Sequence, residues 1–139
     1  MLIRGDITRD PRKHFFPLPN EVWALGLDAG EIAVYAYLMY KENRKTFSCY
    51  PSYSEIANAI GRNKRTIPKY VNALVEKRLI EVGPTTITLA DGTKRNGTLR
   101  YTLLPIREAV RYRNEVLSAK NAGELEKLRI MKHLDQESA

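Results

Sequence analysis

Residues 62–72 read RNKRTIPKYVN, and their side chains suit the reading of a polyanion. Arg62, Lys64, Arg65 and Lys69 supply positive charge. Asn63, Thr66, Tyr70 and Asn72 add hydrogen-bonding groups. Arg forks onto the two acceptors of guanine and Asn onto the edge of adenine, each pair giving about 1–3 kcal/mol of discrimination. A threonine hydroxyl and a helix N-terminus suit phosphate oxygens. Further along, Lys94, Arg95 and Arg100 form a second basic group, suited to a neighbouring phosphate or the minor groove. Arg4, Arg9, Arg12 and Lys13 could add a basic arm at the start of the chain.

Other chemistry is poorly supplied. His14, His133 and Cys49 stand in different segments, and there is no CxxC, HExxH or phosphate-binding glycine loop. Metal and nucleotide sites therefore lack ligands, and no catalysis, cofactor or small-molecule substrate is expected. Carboxylates such as those of GELEKL read as solvent-facing helix. Tyr35, Tyr37 and Tyr40 read as core. The lone Cys49 excludes an internal disulfide framework and fits a cytoplasmic protein. No apolar run approaches the roughly 20 residues of a membrane span, and the first residues lack the pattern of a secretory signal.

The basic residues must be held by helices. SYSEIANAIG reads as a short helix capped by Ser52 or Ser54, with Ile56, Ala57 and Ile60 inward and Gly61 at a left-handed stop. The next helix runs to about Lys77, with Ile67, Val71, Leu74 and Val75 on its buried face. Helix, glycine turn and helix make a helix-turn-helix. Ile80 and Val82, Thr86 and Thr88, and Leu99, Tyr101 and Leu103 then alternate as strands. ADGTKRNG between them forms a basic hairpin tip carrying Lys94 and Arg95: a wing.

Upstream, DAGEIAVYAYLMYKEN predicts the most buried helix, opened by the capping-box pair Asp28 and Glu31, with Ile32, Tyr35, Ala36 and Met39 on one face and Val34 and Leu38 beside them. Before it, Asn20 can cap EVWAL, which Gly26 ends; Trp23 and Leu27 are expected in the core. Phe47–Tyr50 is strand-like. After Pro105 the chain is helical again. Ile106, Val110, Arg113 and Leu117 make a stripe that Leu125, Leu128, Met131 and Leu134 resume. Gly123 leaves open one kinked helix or two.

The chain has 139 residues and a net charge of +7, which favours a polyanionic partner. The excess is concentrated: residues 55–80 carry six Lys/Arg against two Glu, whereas residues 105–139 carry seven against six acids.

The run CYPSYSEIANAIGRNKRTIPKYVNALVEKRLIEV resembles the winged-helix domains of replication initiators from plasmids, phages and conjugative elements of Gram-positive bacteria. The string is carried by Pro51, Ser52, Ile56, Ala57, Gly61, Thr66, Lys69, Leu74, Leu79 and Ile80. Upstream LP…W…L…GE and downstream DG…NG…Y extend the likeness over about residues 15–105. Pro68 departs from it. With Asn63 as cap, Pro68 would break a backbone bond; with Thr66 as cap, it would fall at the second helical position, where its missing N–H costs nothing. A loosened or kinked helix start is expected.

The expected fold is mainly α (α+β), a winged helix-turn-helix with a C-terminal helical extension. The arm spans 1–19 and the winged domain 20–104; the extension 105–139 is expected to dimerise, the alternative being that it folds back on its own domain beside the EIAVYAYL helix. The expected function is sequence-specific binding of double-stranded DNA, for replication initiation or transcriptional regulation of a mobile element. The rival is a protein-interaction module that presents its basic face to an acidic partner. DNA contacts from the recognition helix are expected at Arg62, Asn63, Lys64, Arg65, Thr66, Lys69, Tyr70 and Asn72, and wing contacts at Lys94, Arg95 and Arg100.

Overall fold

A computed structural model describes residue 10 and residues 13–137. Arg4, Arg9 and Arg12 of the basic arm lie outside the described residues.

Asn20–Ala24 form a 3-10 turn. Asn20 is its first residue, not its cap: Pro19 precedes it and no side-chain cap bond forms. In a 3-10 turn, side chains three apart eclipse, so Val22 and Leu25 point together into the core. Trp23 is thereby turned outward and is 75% exposed, against the expectation that it is buried.

Helix α1 spans Ala29–Lys41 and opens with the capping box: Asp28 accepts from the Glu31 amide and Glu31 accepts from the Asp28 amide. Its buried face is Val34, Tyr35 and Leu38, with Ile32, Ala36 and Met39 half-buried beside it. The face expected from spacing is thus rotated, because the core lies on the side where α2 and α3 pack.

Strand β1 (Ser48–Cys49) leads to α2 (Tyr53–Ile60). Ser52 caps α2 by accepting from the Glu55 amide, and Gly61 takes the left-handed conformation at φ 71°. A 3-10 turn, Lys64–Thr66, then feeds α3 (Ile67–Glu76). Ile67, Val71 and Leu74 are buried; Val75, about 80° round the helix from Ile67, lies outside that seam and is exposed. The C-terminus of α3 is a Schellman motif: the Leu79 amide donates to the Leu74 carbonyl and the Arg78 amide to that of Val75.

Strands β2 (Ile80–Gly83), β3 (Thr86–Thr88), β4 (Lys94–Asn96) and β5 (Arg100–Leu103) follow. β5 lies between β1 and β2 in an antiparallel sheet, and β3 pairs with β4 beyond it. Gly83 faces Arg100 and Thr86 faces Asn96, so the returning strand carries one extra residue at the break. That is a bulge, which twists the outer hairpin away from the inner sheet. Fully buried Tyr101, Leu79 and Ile80 join the sheet to the helical core of Tyr35, Leu38, Ile56, Ile67 and Leu74. This is a winged helix-turn-helix with α+β composition.

Helix α4, Ile106–Glu137, is one continuous helix through Gly123. Its first turns belong to the core, through buried Ala109 and half-buried Ile106 and Val110, so packing continues past Leu104. Beyond Asn114 every residue up to Leu134 is exposed. The extension therefore does not fold back along α1. No helix among the described residues is long and apolar enough to cross a membrane.

Candidate nucleic-acid interface

The approach to α3 is built from capped turns. Asn63 Oδ1 accepts from the Arg65 amide at 2.9 Å, and the Thr66 hydroxyl donates to the Asn63 carbonyl at 2.7 Å. Pro68 therefore sits at the second position of α3, with Thr66 before the helix. Its missing N–H falls among those that a helix start leaves unbonded anyway. The 3-10 turn is the form the loosened start takes.

These bonds sort the expected site residues. Arg62, Lys64, Arg65, Lys69 and Asn72 are exposed. Arg65, Lys69 and Asn72 recur four and three residues apart, opposite the buried seam, and the row ends at exposed Glu76. Its positive part is thus the 3-10 turn and the first turn of α3. Asn63 is exposed, but its side-chain oxygen is occupied by the turn. Thr66 spends its only hydroxyl proton on the Asn63 carbonyl, which leaves it no donor for a phosphate in this arrangement.

Tyr70 belongs elsewhere. A Cβ on Gly30 would stand 2.2 Å from Tyr70 Cζ, so the ring lies directly on the α1 backbone. Tyr70 packs α3 on α1 and leaves the exposed row.

The wing residues also move from their expected places. The tip is Ala90–Asp91–Gly92: the Leu89 amide donates to Thr93 O, the Gly92 amide to Leu89 O, and Gly92 is left-handed at φ 86°. Asp91 accepts from the amide and hydroxyl of Thr93, which hold its carboxyl below the usual value. Lys94 and Arg95 lie past the tip, on β4, opposite Thr88 and Ile87. Neighbouring strand residues point to opposite faces, so the two cations diverge. Arg100 is exposed and its guanidinium lies over Gly83, where a Cβ would meet Nη2 at 2.9 Å. It spans the root of the wing.

Lys64 lies beside the root of the wing. It borders a cleft of about 250 Å³ whose other walls include Ser52 and Tyr53 at the start of α2 and Gly97 and Thr98 at the wing root. Thr98 donates to the Tyr50 carbonyl at 2.9 Å, which ties the root to the loop before α2.

Two interactions that spacing did not reveal set the orientation of α3. Lys77 pairs with Glu31, which is only 6% exposed, and also donates to the Gly26 carbonyl at 3.1 Å. At the far end, Arg78 is left-handed at φ 61° without being glycine, and its guanidinium stacks 4.7 Å from the Tyr112 ring centre. The only sequence signal for the second was a helix end lacking its customary glycine. Cys49 is buried and its thiol is pushed up to about 11 by desolvation, so it is no nucleophile at neutral pH. Burial likewise raises Tyr35 to about 12.

Residues 25–80 match the model of a helix-turn-helix domain family. The match covers α1, α2, α3 and the start of β2, less than half of the chain. No curated protein sequence matches significantly. Among solved structures, the chain is similar to a possible transcriptional regulator from Methanosarcina mazei: 16% identity, 76% of this chain and 82% of that one, TM-score 0.48. It is also similar to MepR of S. aureus in complex with DNA, at 18% identity over 84% of this chain and 85% of that one, TM-score 0.39. A third is the YusO protein of Bacillus subtilis, at 16% identity over 84% and 79%, TM-score 0.38.

Proposed function

We propose that this chain binds double-stranded DNA sequence-specifically, with the N-terminal half of α3 in the major groove and the wing on the adjacent backbone. The carrying observation is the exposed row of Arg65, on the 3-10 turn that opens α3, and Lys69 and Asn72, on α3 itself, with Lys64 beside the wing root. A row of that composition supplies both phosphate and base contacts from one face. The helix-turn-helix family match supports the reading. Arg65 and Asn72 are the base readers in this proposal. Arg62, Lys64, Lys69, Lys94, Arg95 and Arg100 hold the backbone.

The biological setting we propose is transcriptional regulation or replication initiation of a mobile element, the second on the strength of the sequence resemblance. We further propose a homodimer through the distal part of α4. A single reading head covers a short site, and a two-fold pair covers two half-sites at a spacing set by its symmetry.

Mobility shifts on random duplex DNA over a range of salt test the binding itself. Neutralising about six phosphates gives a log–log slope near −5. Lys94→Ala with Arg95→Ala weakens all duplexes alike and flattens the slope by roughly 1–2, whereas Arg65→Ala or Asn72→Ala relaxes preference at particular positions. A slope near zero rejects DNA binding and favours an acidic protein partner. A wing variant that changes the selected sequence more than the α3 variants do rejects the division of roles.

A further inference from the structure

Tyr35 is only 1% exposed, and its hydroxyl makes no hydrogen bond among the described residues. Among those residues the only fully sealed, unbonded side-chain polar atom is Arg113 Nε. The Tyr35 hydroxyl, equally unbonded, therefore keeps an opening. Tyr35 lines a cavity of about 360 Å³ between the C-terminal half of α1 and the turn from β5 into α4.

Met39, Phe47, Leu103 and Ile106 wall this cavity with apolar surface, and Glu42 is the only charged residue of its lining. Glu42 is half-buried, and its carboxylate makes neither an ion pair nor a hydrogen bond among the described residues. Burial pushes that carboxyl above its usual value; the charge of Arg44, exposed and outside the lining, opposes the rise without cancelling it. Burial first, then the charges of Glu42 and Glu21, raise the Tyr35 hydroxyl. Hydroxyl and carboxylate thus share one negative corner. Phe47 stands at the rim, 54% exposed and left-handed at φ 56°, an unusual backbone for an aromatic residue. Two bonds fix it there: its amide donates to the Asn43 carbonyl at 2.6 Å, and its carbonyl accepts from the Leu103 amide at 2.9 Å.

We propose that this cavity binds a small organic cation: a compact apolar body, such as one aromatic ring on a short chain, ending in an ammonium group that pairs with Glu42. An ammonium carries three donors, and both the carboxylate and the Tyr35 oxygen have lone pairs to accept them. The Phe47 ring offers its face to the same charge. Small-molecule sites start at about 300 Å³ and combine apolar walls with a few placed polar groups, so the ligand belongs to the small end of that range. A neutral ligand would leave the carboxylate desolvated without a partner, and an anion would be repelled. No residue of the basic row or of the β3–β4 hairpin lines the cavity, so the site stands whether or not the chain binds DNA.

2-Phenylethylamine, protonated at neutral pH, is titrated into the full chain while backbone amide resonances are followed. 2-Phenylethanol is its uncharged counterpart. The amine is expected to shift the amides of Met39, Phe47 and Leu103 saturably, and the alcohol to bind at least about tenfold more weakly. Glu42→Gln keeps the size of the side chain and removes its charge. It is expected to weaken the amine by at least about tenfold and to leave the alcohol unchanged. The comparison of amine with alcohol is made on the parent chain, so it decides the matter even if the variant does not fold. Non-saturating shifts spread over the surface, equal binding of the alcohol, or amine binding undiminished in Glu42→Gln would each overturn the site.

Discussion

Tyr70 shows how one small residue assigns the role of a larger one. By type and position it could have met a DNA groove, yet the bare Gly30 backbone leaves a place that its ring fills. The two are therefore coupled. Gly30→Ala alone inserts a methyl into the ring position and is expected to lower stability by about 1 kcal/mol, overpacking outweighing helix propensity. In a Tyr70→Ala background the same change is expected to raise stability by about 0.5–1 kcal/mol, the ordinary gain of alanine over glycine in a helix. A double-mutant cycle by denaturant unfolding reads the sign reversal; additive effects would place the ring elsewhere.

Asp28 makes a second prediction at this scale. The amide bond from Glu31, the largest influence, holds its carboxyl below the ordinary 3.8, with smaller help from the Glu31 side chain and Lys77. A lowered folded-state value means that the unfolded chain binds more protons on acidification. The stabilisation is present above the unfolded value and is lost as pH falls through the folded one. Asp28→Asn keeps a capping side chain without the titration. Its stability should fall less steeply below about pH 4 than that of the parent, as measured by urea midpoints across pH. An unchanged acid slope would remove Asp28 from the account.

At the scale of elements, the start of α3 is decided by where the helix begins. Proline inside a helix costs about 3 kcal/mol, but at the second position it costs almost nothing. Pro68→Ala is accordingly expected to change stability by less than about 1 kcal/mol, the sign depending on the unfolded chain it also frees. A gain near 3 kcal/mol in chemical denaturation would mean that the helix begins at Asn63 and that Pro68 breaks it. The wing gives the same lesson for strands. A three-residue tip closed by left-handed Gly92 returns the chain early, so Lys94 and Arg95 become paired strand residues with opposed side chains.

The whole molecule turns on α4, anchored by Ala109 and then extending away from the domain. At 3.6 residues per turn, Leu117, Leu128 and Met131 fall within roughly 60° of one another. The three-residue spacing from Leu125 to Leu134 winds round the helix, so the full set is not one straight seam. The proposed dimer face is therefore narrower than the sequence stripe, and it centres on the exposed Leu117, Leu128 and Met131. Sedimentation of the full chain at tens of micromolar is expected to give a dimer, and Leu128→Lys with Met131→Lys a monomer of unchanged helix content. A monomeric parent sinks the proposal. Truncation at Leu104 is a poor test, because it strips Ala109 from the core.

What the sequence by itself determined is what neighbouring residues decide between themselves. The Asp28–Glu31 box, the Ser52 cap, the left-handed Gly61 and the alternation of Tyr101 and Leu103 follow from bonds and periods spanning a few residues. These suffice for a helix-turn-helix with a wing, and for a basic row on its second helix. Tertiary structure alone decided matters in which two distant segments meet. Trp23 faces outward because a 3-10 turn selects Val22 and Leu25 for the core. Tyr70 turns inward because Gly30, forty residues away, has no side chain. Arg78 meets the ring of Tyr112 only because α4 passes beside the end of α3. Local pattern fixes which elements form, since a few bonds set each one. Which of their side chains are spent on packing, and which remain for a ligand, depends on the volume that remote parts of the chain occupy.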